Sequence, residues 1–193
     1  MNIERKLQFI NEIDKLKSIV RVNRLHNGER RENTAEHSWH LALMTLVFLD
    51  DAEEDIDALK AMKMALLHDI VEIDAGDTYA FDEKGYEDKF ERELEAAKRI
   101  FSLLPDQLSR EYMNLWLEFE KGVSAEAQFV LAMDRLAPVL SHLGNNGLVW
   151  KERNMDKKTL LTRANAIRDF APKVWPKIEL LLENAINSGI LKN

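Results

Sequence analysis

The stretch Leu66–Asp77, LLHDIVEIDAGD, combines the apolar residues of a buried helix with a cluster of charged groups. Five of its twelve residues are Leu, Ile or Val at helical spacing, and the other positions include one imidazole and four carboxylates. Burying an ionised side chain is unfavourable unless an opposite charge or a metal ion lies beside it. A divalent cation would satisfy the imidazole and the carboxylates together. The stretch therefore predicts a metal site on a core helix.

Helical spacing of apolar residues extends over nearly the whole chain and predicts an all-α fold. Only seven Gly and four Pro interrupt the 193 residues, and no alternating strand pattern of useful length is present. We expect a compact bundle of seven to nine helices and a single domain over residues 1–193. Its motif-bearing core covers about 13–143, and helices within 156–187 close the bundle or form an interface.

Local signals in the first quarter of the chain predict two helices with a loop between them. Residues 3–16 place five Ile or Leu side chains on one helical face. The Arg-rich segment 21–33 has no clear period and is expected to be a loop or a short turn. Asn33 with Glu36 three residues later has the pattern of a capping box, which predicts a helix from there to about Leu49.

The central helices are predicted from their caps and breakers. Residues 58–73 read as one continuous helix that Asp57 caps and that ends near Gly76. Ser124 caps a later helix, within which Pro138 predicts a kink or an end.

Composition limits the classes of partner that the chain can have. The formal net charge of −7 provides no general attraction to nucleic acid or to anionic lipid, so a phosphate-bearing ligand must be held locally. The absence of Cys excludes disulfides and thiolate metal ligands. No signal peptide or membrane span is visible, and a soluble, cytoplasmic protein is expected.

The dipeptide His68-Asp69 is the first candidate for binding a metal. Adjacent positions on a helix point about 100° apart, so these two side chains can approach one ion from different directions. Glu72, one turn after His68, faces the same cavity. Any His considered alone is more often a surface or core residue with a satisfied hydrogen bond.

Two more ligands follow the same reasoning, each with an alternative. His37 lies near the start of an apolar helix, with His40 one turn later as the rival ligand, and spacing alone does not choose between them. Asp134 interrupts an apolar helical face, but a salt bridge with Arg135 would explain it equally well.

The ordered signature H…HD…D, present as His37, His68-Asp69 and Asp134, resembles that of the HD-domain metal-dependent phosphohydrolases. Longer matches resemble the bacterial HD-domain 5'-deoxynucleotidases in particular. These matches are LKSIVR (16–21), RENTAEHSW (31–39), ALLHDIVEIDAGD (65–77) and AMDRLAP (132–138).

The resemblance implies that His37, His68, Asp69 and Asp134 bind the metal, which favours His37 over His40. Two nitrogens and two carboxylate oxygens suit Mn²⁺, Co²⁺, Fe²⁺ or Zn²⁺. Members of the superfamily with two metals use further His residues between the HD pair and the last Asp. Residues 70–133 contain no His, so we expect one metal per chain.

The resemblance also implies roles for three residues around the metal. Glu72 orients the attacking water, and Asp77 donates a proton to the leaving oxygen or assists the nucleophile. Arg21 contacts the substrate phosphate, a task that suits a guanidinium. The best-known bacterial members have Trp after this Arg, whereas this chain has Val22, which leaves the base and sugar preference open.

The leading hypothesis is a metal-dependent phosphomonoesterase that converts (deoxy)nucleoside 5'-monophosphates to nucleoside and phosphate. A small-molecule nucleotide is the expected partner, without nucleic acid or membrane, in a homodimer of the kind common among the relatives. One alternative is an HD phosphohydrolase for another small phosphate ester or nucleotide. The other is a nucleotide-binding module that holds metal without turnover, which retention of Glu72 and Asp77 disfavours.

Overall fold

The chain folds as a bundle of helices, and the predicted all-α class is confirmed. The computed structural model describes residues 2–193. Within that range eight α-helices have ten residues or more, in keeping with the seven to nine expected. The α-helices are α1 (Asn2–Ile13), α2 (Thr34–Val47), α3 (Ala58–Leu67), α4 (Glu72–Ala75), α5 (Glu83–Tyr86), α6 (Lys89–Phe101), α7 (Asp106–Lys121), α8 (Ala125–Gly144), α9 (Leu148–Glu152), α10 (Lys157–Phe170) and α11 (Trp175–Asn187).

A small antiparallel sheet replaces the loop that was expected at residues 21–33. β1 (Val20–Arg24) pairs with β2 (Arg31–Asn33), with Val20 opposite Asn33 and Arg24 opposite Arg31. The sequence did not reveal this hairpin because its strands are short and mostly polar, so no apolar alternation marks a buried face. The sheet leads directly into the first turn of α2.

The buried apolar side chains form two hydrophobic clusters. The first cluster lies among α2, α3, α8, α10 and α11 and includes Leu41, Met133 and Ile167. The second lies among α1, α6 and α7, where Phe101 and Trp116 are fully buried. Residues from the end of α3 and the turn after it also belong to the second cluster, so this segment connects the two.

The helix expected over 58–73 is broken, and this prediction was wrong in an informative place. α3 ends at Leu67, and His68 is its C-cap. The next turn is tighter, with Ile70 N donating to Leu67 O at 3.2 Å and Glu72 N donating to Asp69 O at 3.1 Å. Helical periodicity did not reveal the break because the apolar residues on both sides of it are buried.

Other boundaries match their signals more closely. The capping box forms as predicted, with the Asn33 side chain accepting from Glu36 N and the Glu36 side chain accepting from Asn33 N. α8 continues past Pro138 without ending.

The expected apolar face of α1 is mostly exposed, since Phe9 is its buried residue. No helix in residues 2–193 has the length and hydropathy needed to cross a membrane.

Candidate active site

The four side chains predicted as metal ligands lie together where α2, α3 and α8 meet. His37 Nε2 is 3.0 Å from Asp134 Oδ1 and 3.7 Å from Asp69 Oδ2. His68 Nε2 is 3.1 Å from Asp69 Oδ2 and 3.9 Å from Asp134 Oδ1. Ligand atoms of His37, His68 and Asp69 all lie within 4.8 Å of one another. The break after α3 turns His68 and Asp69 toward one point.

The imidazole of His68 has the tautomer that a metal ligand needs. Its Nδ1 lies 3.0 Å from the Ala65 carbonyl oxygen, so Nδ1 carries the proton and Nε2 carries the lone pair. Nε2 is buried and makes no hydrogen bond of acceptable geometry among residues 2–193, although Asp69 Oδ2 lies 3.1 Å away. A buried nitrogen lone pair between carboxylates fits a divalent cation, and the donor set of imidazole and carboxylate is that of a transition-metal site.

Of the two rival histidines in α2, His37 belongs to this cluster. It is almost completely buried, and burial together with the nearby Arg21 lowers the pKa of its imidazole. The ring of His40 instead stacks beside Trp39, with a centroid distance of 6.4 Å. The geometry therefore favours His37 over His40 as the ligand, as the resemblance does.

Asp134 makes the contacts expected of both interpretations, the metal ligand and the salt-bridge partner of Arg135. Its Oδ1 faces His37, while its Oδ2 accepts from Arg135 Nη1 at 2.8 Å. Burial opposes ionisation of this carboxyl, but Arg135 and the two histidines lower its pKa well below the usual value. The salt bridge thus holds Asp134 ionised with one oxygen toward the cluster.

Glu72 and Asp77 lie next to the cluster, and burial raises the pKa of both carboxyls. Glu72 Oε2 accepts from Thr34 Oγ1 at 2.7 Å, and both groups are buried. Burial and the neighbouring Asp69 raise the pKa of Glu72 well above its usual value. Burial also raises the pKa of Asp77, although Arg21 partly opposes this. Two carboxyls that can hold protons thus adjoin Asp69, whose pKa is lowered by His68 despite burial.

Arg21 provides the positive charge at the centre of these carboxylates. Its Nη1 lies 2.8 Å from Asp69 Oδ2, 3.3 Å from Asp77 Oδ1 and 3.7 Å from Glu72 Oε1. Burial disfavours its charge, but these three acidic groups outweigh burial and raise the pKa of the guanidinium. β1 positions this residue, which explains why the hairpin matters to the site.

Comparison with known proteins identifies the family. A family model described as "HD domain" matches residues 13–175. The chain belongs to the HD-domain family. The resemblance found in the sequence is thereby confirmed, and His37, His68, Asp69 and Asp134 all lie within the matched range.

Two curated relatives and one solved structure indicate how closely other HD domains match. The 5'-deoxynucleotidase HDDC2 of Homo sapiens is 36% identical over 135 residues, covering 69% of this chain and 65% of that protein. The Bos taurus protein of the same name is 35% identical over 135 residues, covering 69% and 64%. The chain thus spans slightly less than two thirds of these relatives.

A crystal structure from Magnetospirillum magnetotacticum MS-1, described as a "predicted metal-dependent phosphohydrolase", matches over the whole chain. The sequence identity is 39% and the TM-score is 0.92, with coverage of 100% of this chain and 96% of that one. The arrangement of helices described above is therefore shared over its full length with this solved structure.

The HD domain also contains a site residue that sequence reasoning missed. Glu32, on β2, is buried, with its Oε2 3.4 Å from Arg21 Nε and 3.6 Å from His37 Nδ1. Burial raises the pKa of its carboxyl to about 7, with Arg21 acting in the opposite direction. No spacing rule could identify it, because it reaches the site from a strand that the sequence did not reveal.

Around the HD cluster, α7 supports the break after α3. Trp116 Nε1 donates to the carbonyl oxygen of His68 at 3.2 Å, and the Phe119 ring lies 5.1 Å from the His68 ring. Asp74 is outside the site, where its Oδ1 accepts from Arg99 Nη2 at 2.8 Å. Within the charged stretch 66–77, Asp74 is thus the carboxylate with an ordinary surface partner.

A cavity of about 500 Å³ opens from the HD cluster. Arg21, Asp69 and Glu72 form part of its wall. Helix α8 and the C-terminal segment supply further wall residues, including Val139, His142, Trp150, Leu160 and Phe170. The cavity is larger than a phosphate ion requires and lies within the range of about 300–1,000 Å³ that is typical of small-molecule sites.

Proposed function

We propose that this HD domain is a metal-dependent phosphomonoesterase that hydrolyses nucleoside 5'-monophosphates, deoxyribonucleotides above all, to nucleoside and phosphate. The observation that carries the proposal is the convergence of His37, His68, Asp69 and Asp134 on one buried point, beside Arg21 and a cavity of nucleotide size. The names of the two 5'-deoxynucleotidase relatives support the choice of substrate.

The proposed metal ligands are His37, His68, Asp69 and Asp134, holding one divalent cation of the Mn²⁺, Co²⁺, Fe²⁺ or Zn²⁺ type per chain. Such a cation supplies Lewis acidity toward a phosphoryl oxygen and a water molecule. The buried Nε2 of His68 supports the assignment, because it lies beside the Asp69 carboxylate and makes no hydrogen bond of acceptable geometry in the described chain. The contact between Ala65 O and His68 Nδ1 fixes the ring in the orientation required.

Glu72 is proposed to accept the proton of the attacking water. Thr34 Oγ1 holds one carboxylate oxygen of Glu72, which leaves the other to accept a hydrogen bond from water. A carboxylate with a raised pKa is a stronger base than an exposed one, and general-base assistance contributes roughly 10²- to 10⁴-fold in rate. The water oxygen forms the new bond to phosphorus as this proton is removed.

Asp77 is proposed to protonate the departing 5'-oxygen of the nucleoside as the phosphorus–oxygen bond breaks. Its raised pKa allows it to carry the proton that this role requires. Arg21 lies 3.3 Å from Asp77 and is proposed to bind the phosphate through its guanidinium. The phosphate and the proton donor would then be held by neighbouring groups on β1 and after α4.

The proposal extends to assembly and location. We propose a homodimer, supported by the stripe of exposed apolar residues Ile3, Leu7 and Ile10 along α1. Light scattering coupled to gel filtration tests it, and a monomer would contradict it.

We also propose a cytoplasmic location, in keeping with a chain that has no cysteine.

The proposed function is tested with metal-stripped protein and a panel of substrates. The panel contains dAMP, dGMP, dCMP, TMP, dUMP and their ribose counterparts, and phosphate release is measured after adding Mn²⁺, Co²⁺, Fe²⁺ or Zn²⁺. We expect turnover of deoxyribonucleotides that depends on added metal. No turnover with any metal would refute the enzyme, whereas turnover of other phosphate esters alone would favour a different HD phosphohydrolase.

A further inference from the structure

We propose that the cavity wall formed by α8, α9 and α10 binds the nucleobase of the substrate, and that His142 is the residue that hydrogen-bonds to it. This inference rests on the proposed function and deepens it. Apart from Asp134 in α8, the residues of this wall take no part in metal binding or in the proton transfers described above.

His142 is a buried polar residue whose ring nitrogen Nδ1 lacks a hydrogen bond within residues 2–193. Its side chain lies in α8, two turns after Asp134, and the residue is 5% exposed. Its Nδ1 is buried and has no hydrogen-bond partner in the described range 2–193. Buried polar atoms are almost always paired, so an unpaired one on a residue that lines the cavity indicates a ligand that the ring can engage.

The chemistry of the wall around His142 suits a planar aromatic ring. The indole of Trp150 lies 5.2 Å from the imidazole centroid at an angle of 58°. Val139, Leu160 and Phe170 line the same cavity with apolar atoms. Apolar and aromatic walls with a few polar groups are typical of sites that bind small organic molecules. A nucleobase has aromatic faces for such walls and polar edges for a single hydrogen-bonding residue.

His142 is neutral under physiological conditions, which favours a base over a second phosphate. Burial lowers the pKa of its imidazole to about 4. A neutral imidazole presents one donor and one acceptor, the same pair that the edges of the nucleobases offer. The charge for binding the phosphate comes instead from Arg21, whose guanidinium lines the same cavity.

Arg163, another polar residue of the same cavity wall, is already engaged. Its Nη2 donates to the carbonyl oxygen of Ala80 at 2.7 Å, and its guanidinium lies 4.7 Å from the centroid of the Tyr86 ring. Arg163 therefore holds the segment after Asp77 against α10. His142 has no equivalent bond, which distinguishes it from Arg163 as the group that a ligand can engage.

The test compares a nucleotide with its base-free counterpart. Wild-type protein, His142→Phe and His142→Gln are assayed on the best deoxyribonucleotide of the panel and on 2-deoxyribose 5-phosphate. We expect His142→Phe to lower kcat/KM for the nucleotide, relative to the base-free ester, by roughly 5- to 100-fold, the usual range for one lost hydrogen bond to a buried polar group. His142→Gln, which keeps a donor and an acceptor, should recover part of the loss.

Ser141→Ala is the matched control, because Ser141 is the adjacent residue of α8 and is not among those that line the cavity. Thermal unfolding checks that each variant is folded. An unchanged ratio of the two kcat/KM values in folded His142→Phe would overturn the inference while leaving the proposed function intact. A ratio that falls equally in Ser141→Ala would also overturn it.

Equilibrium binding separates the inference from the proposed function. Calorimetry measures the affinity of the same two ligands for Glu72→Gln and for Glu72→Gln with His142→Phe, both with Mn²⁺, so that turnover is not needed. A loss of affinity confined to the nucleotide supports the inference, even if wild-type protein hydrolyses no nucleotide. Equal affinities of the two proteins for the nucleotide would contradict it.

Discussion

Glu72 and Asp74 are two carboxylates of one short helix with opposite surroundings. Glu72 is buried against Thr34 and lines the cavity, whereas Asp74 pairs with Arg99 near the surface. The difference offers a matched pair of substitutions in the same turn. It also resolves the conflict in LLHDIVEIDAGD, because most of the apparently misplaced charges converge on one site.

The first prediction is that Glu72→Gln lowers kcat by about 10²- to 10⁴-fold, the usual contribution of a general base. The amide keeps the shape and can still accept from Thr34, so metal content per chain, measured by atomic emission, should be unchanged. Asp74→Asn should retain wild-type kcat. An active Glu72→Gln protein would exclude the proposed role.

The second prediction concerns the pH dependence of stability. His142 has a folded-state pKa of about 4, below the unfolded value, so the unfolded chain binds its proton first as pH falls. The contribution of the neutral ring to the free energy of unfolding is complete above pH 6.5. It is lost as the pH falls from 6.5 to 4. From pH 7 to pH 5 this amounts to about 2 kcal/mol.

Chemical denaturation at pH 7 and pH 5 measures this effect. The free energy of unfolding of wild-type protein should fall by about 2 kcal/mol more than that of His142→Leu, which has no titrating ring. Subtracting the fall measured for His142→Leu from the fall measured for wild type removes the contribution of all other titrating groups. Equal falls in the two proteins would show that the pKa of His142 is the same in the folded and the unfolded chain.

The sequence predicts some site residues and misses others. The difference lies in the element that carries each residue. His37, His68, Asp69 and Asp134 form an ordered signature within segments that the sequence predicts as helical, so spacing and resemblance together could name them. Glu32 had no such signal, because it acts through contacts with Arg21 and His37 made from an unexpected strand. A residue whose role is to position others leaves no pattern of its own.

At the scale of elements, the break between α3 and α4 is the feature that orients the site. Periodicity predicts the apolar residues of this segment correctly and misses the break, since burial continues across it. What stabilises the break is tertiary contact with α7, where Trp116 Nε1 donates to His68 O. Contacts between distant segments are beyond what a single sequence pattern contains.

The third prediction follows from this contact. Trp116→Phe keeps an aromatic ring but leaves the buried His68 carbonyl without its donor, which should lower the free energy of unfolding by roughly 1–3 kcal/mol. We expect weaker Mn²⁺ binding as well, because His68 is less firmly positioned. Urea denaturation and metal titration measure the two effects.

Trp175→Phe in α11 is the control for this substitution, since that indole lies on the first hydrophobic cluster, away from His68. It should leave Mn²⁺ affinity as in wild type. If Trp116→Phe is destabilised but binds Mn²⁺ with wild-type affinity, α7 supports the fold without positioning the ligand.

At the scale of the whole molecule, the proposed ligands come from both sides of the boundary between the two hydrophobic clusters. His37 and Asp134 lie on α2 and α8, whose apolar faces belong to the first cluster. His68 and Asp69 lie between Leu67 and Ile70, which belong to the second. A cation held by all four side chains would join the two clusters and reduce the repulsion among the buried carboxylates.

The fourth prediction is therefore that metal stabilises the entire fold. An ion that binds only the folded chain at 100 times its Kd adds about 2.7 kcal/mol to the free energy of unfolding. For a chain of this size that corresponds to a rise in Tm of about 5–11 °C. Differential scanning calorimetry of metal-stripped protein, with and without Mn²⁺, measures the shift.

The control for this prediction is Asp134→Asn, compared by the size of the shift rather than by its starting Tm, because the substitution also weakens the pair with Arg135. Loss of one of four ligands should reduce the shift sharply. A shift of equal size in Asp134→Asn would mean that Mn²⁺ binds elsewhere. No shift in wild type would mean that Arg21 alone compensates the carboxylates, and that the two clusters are joined by this guanidinium instead of a metal.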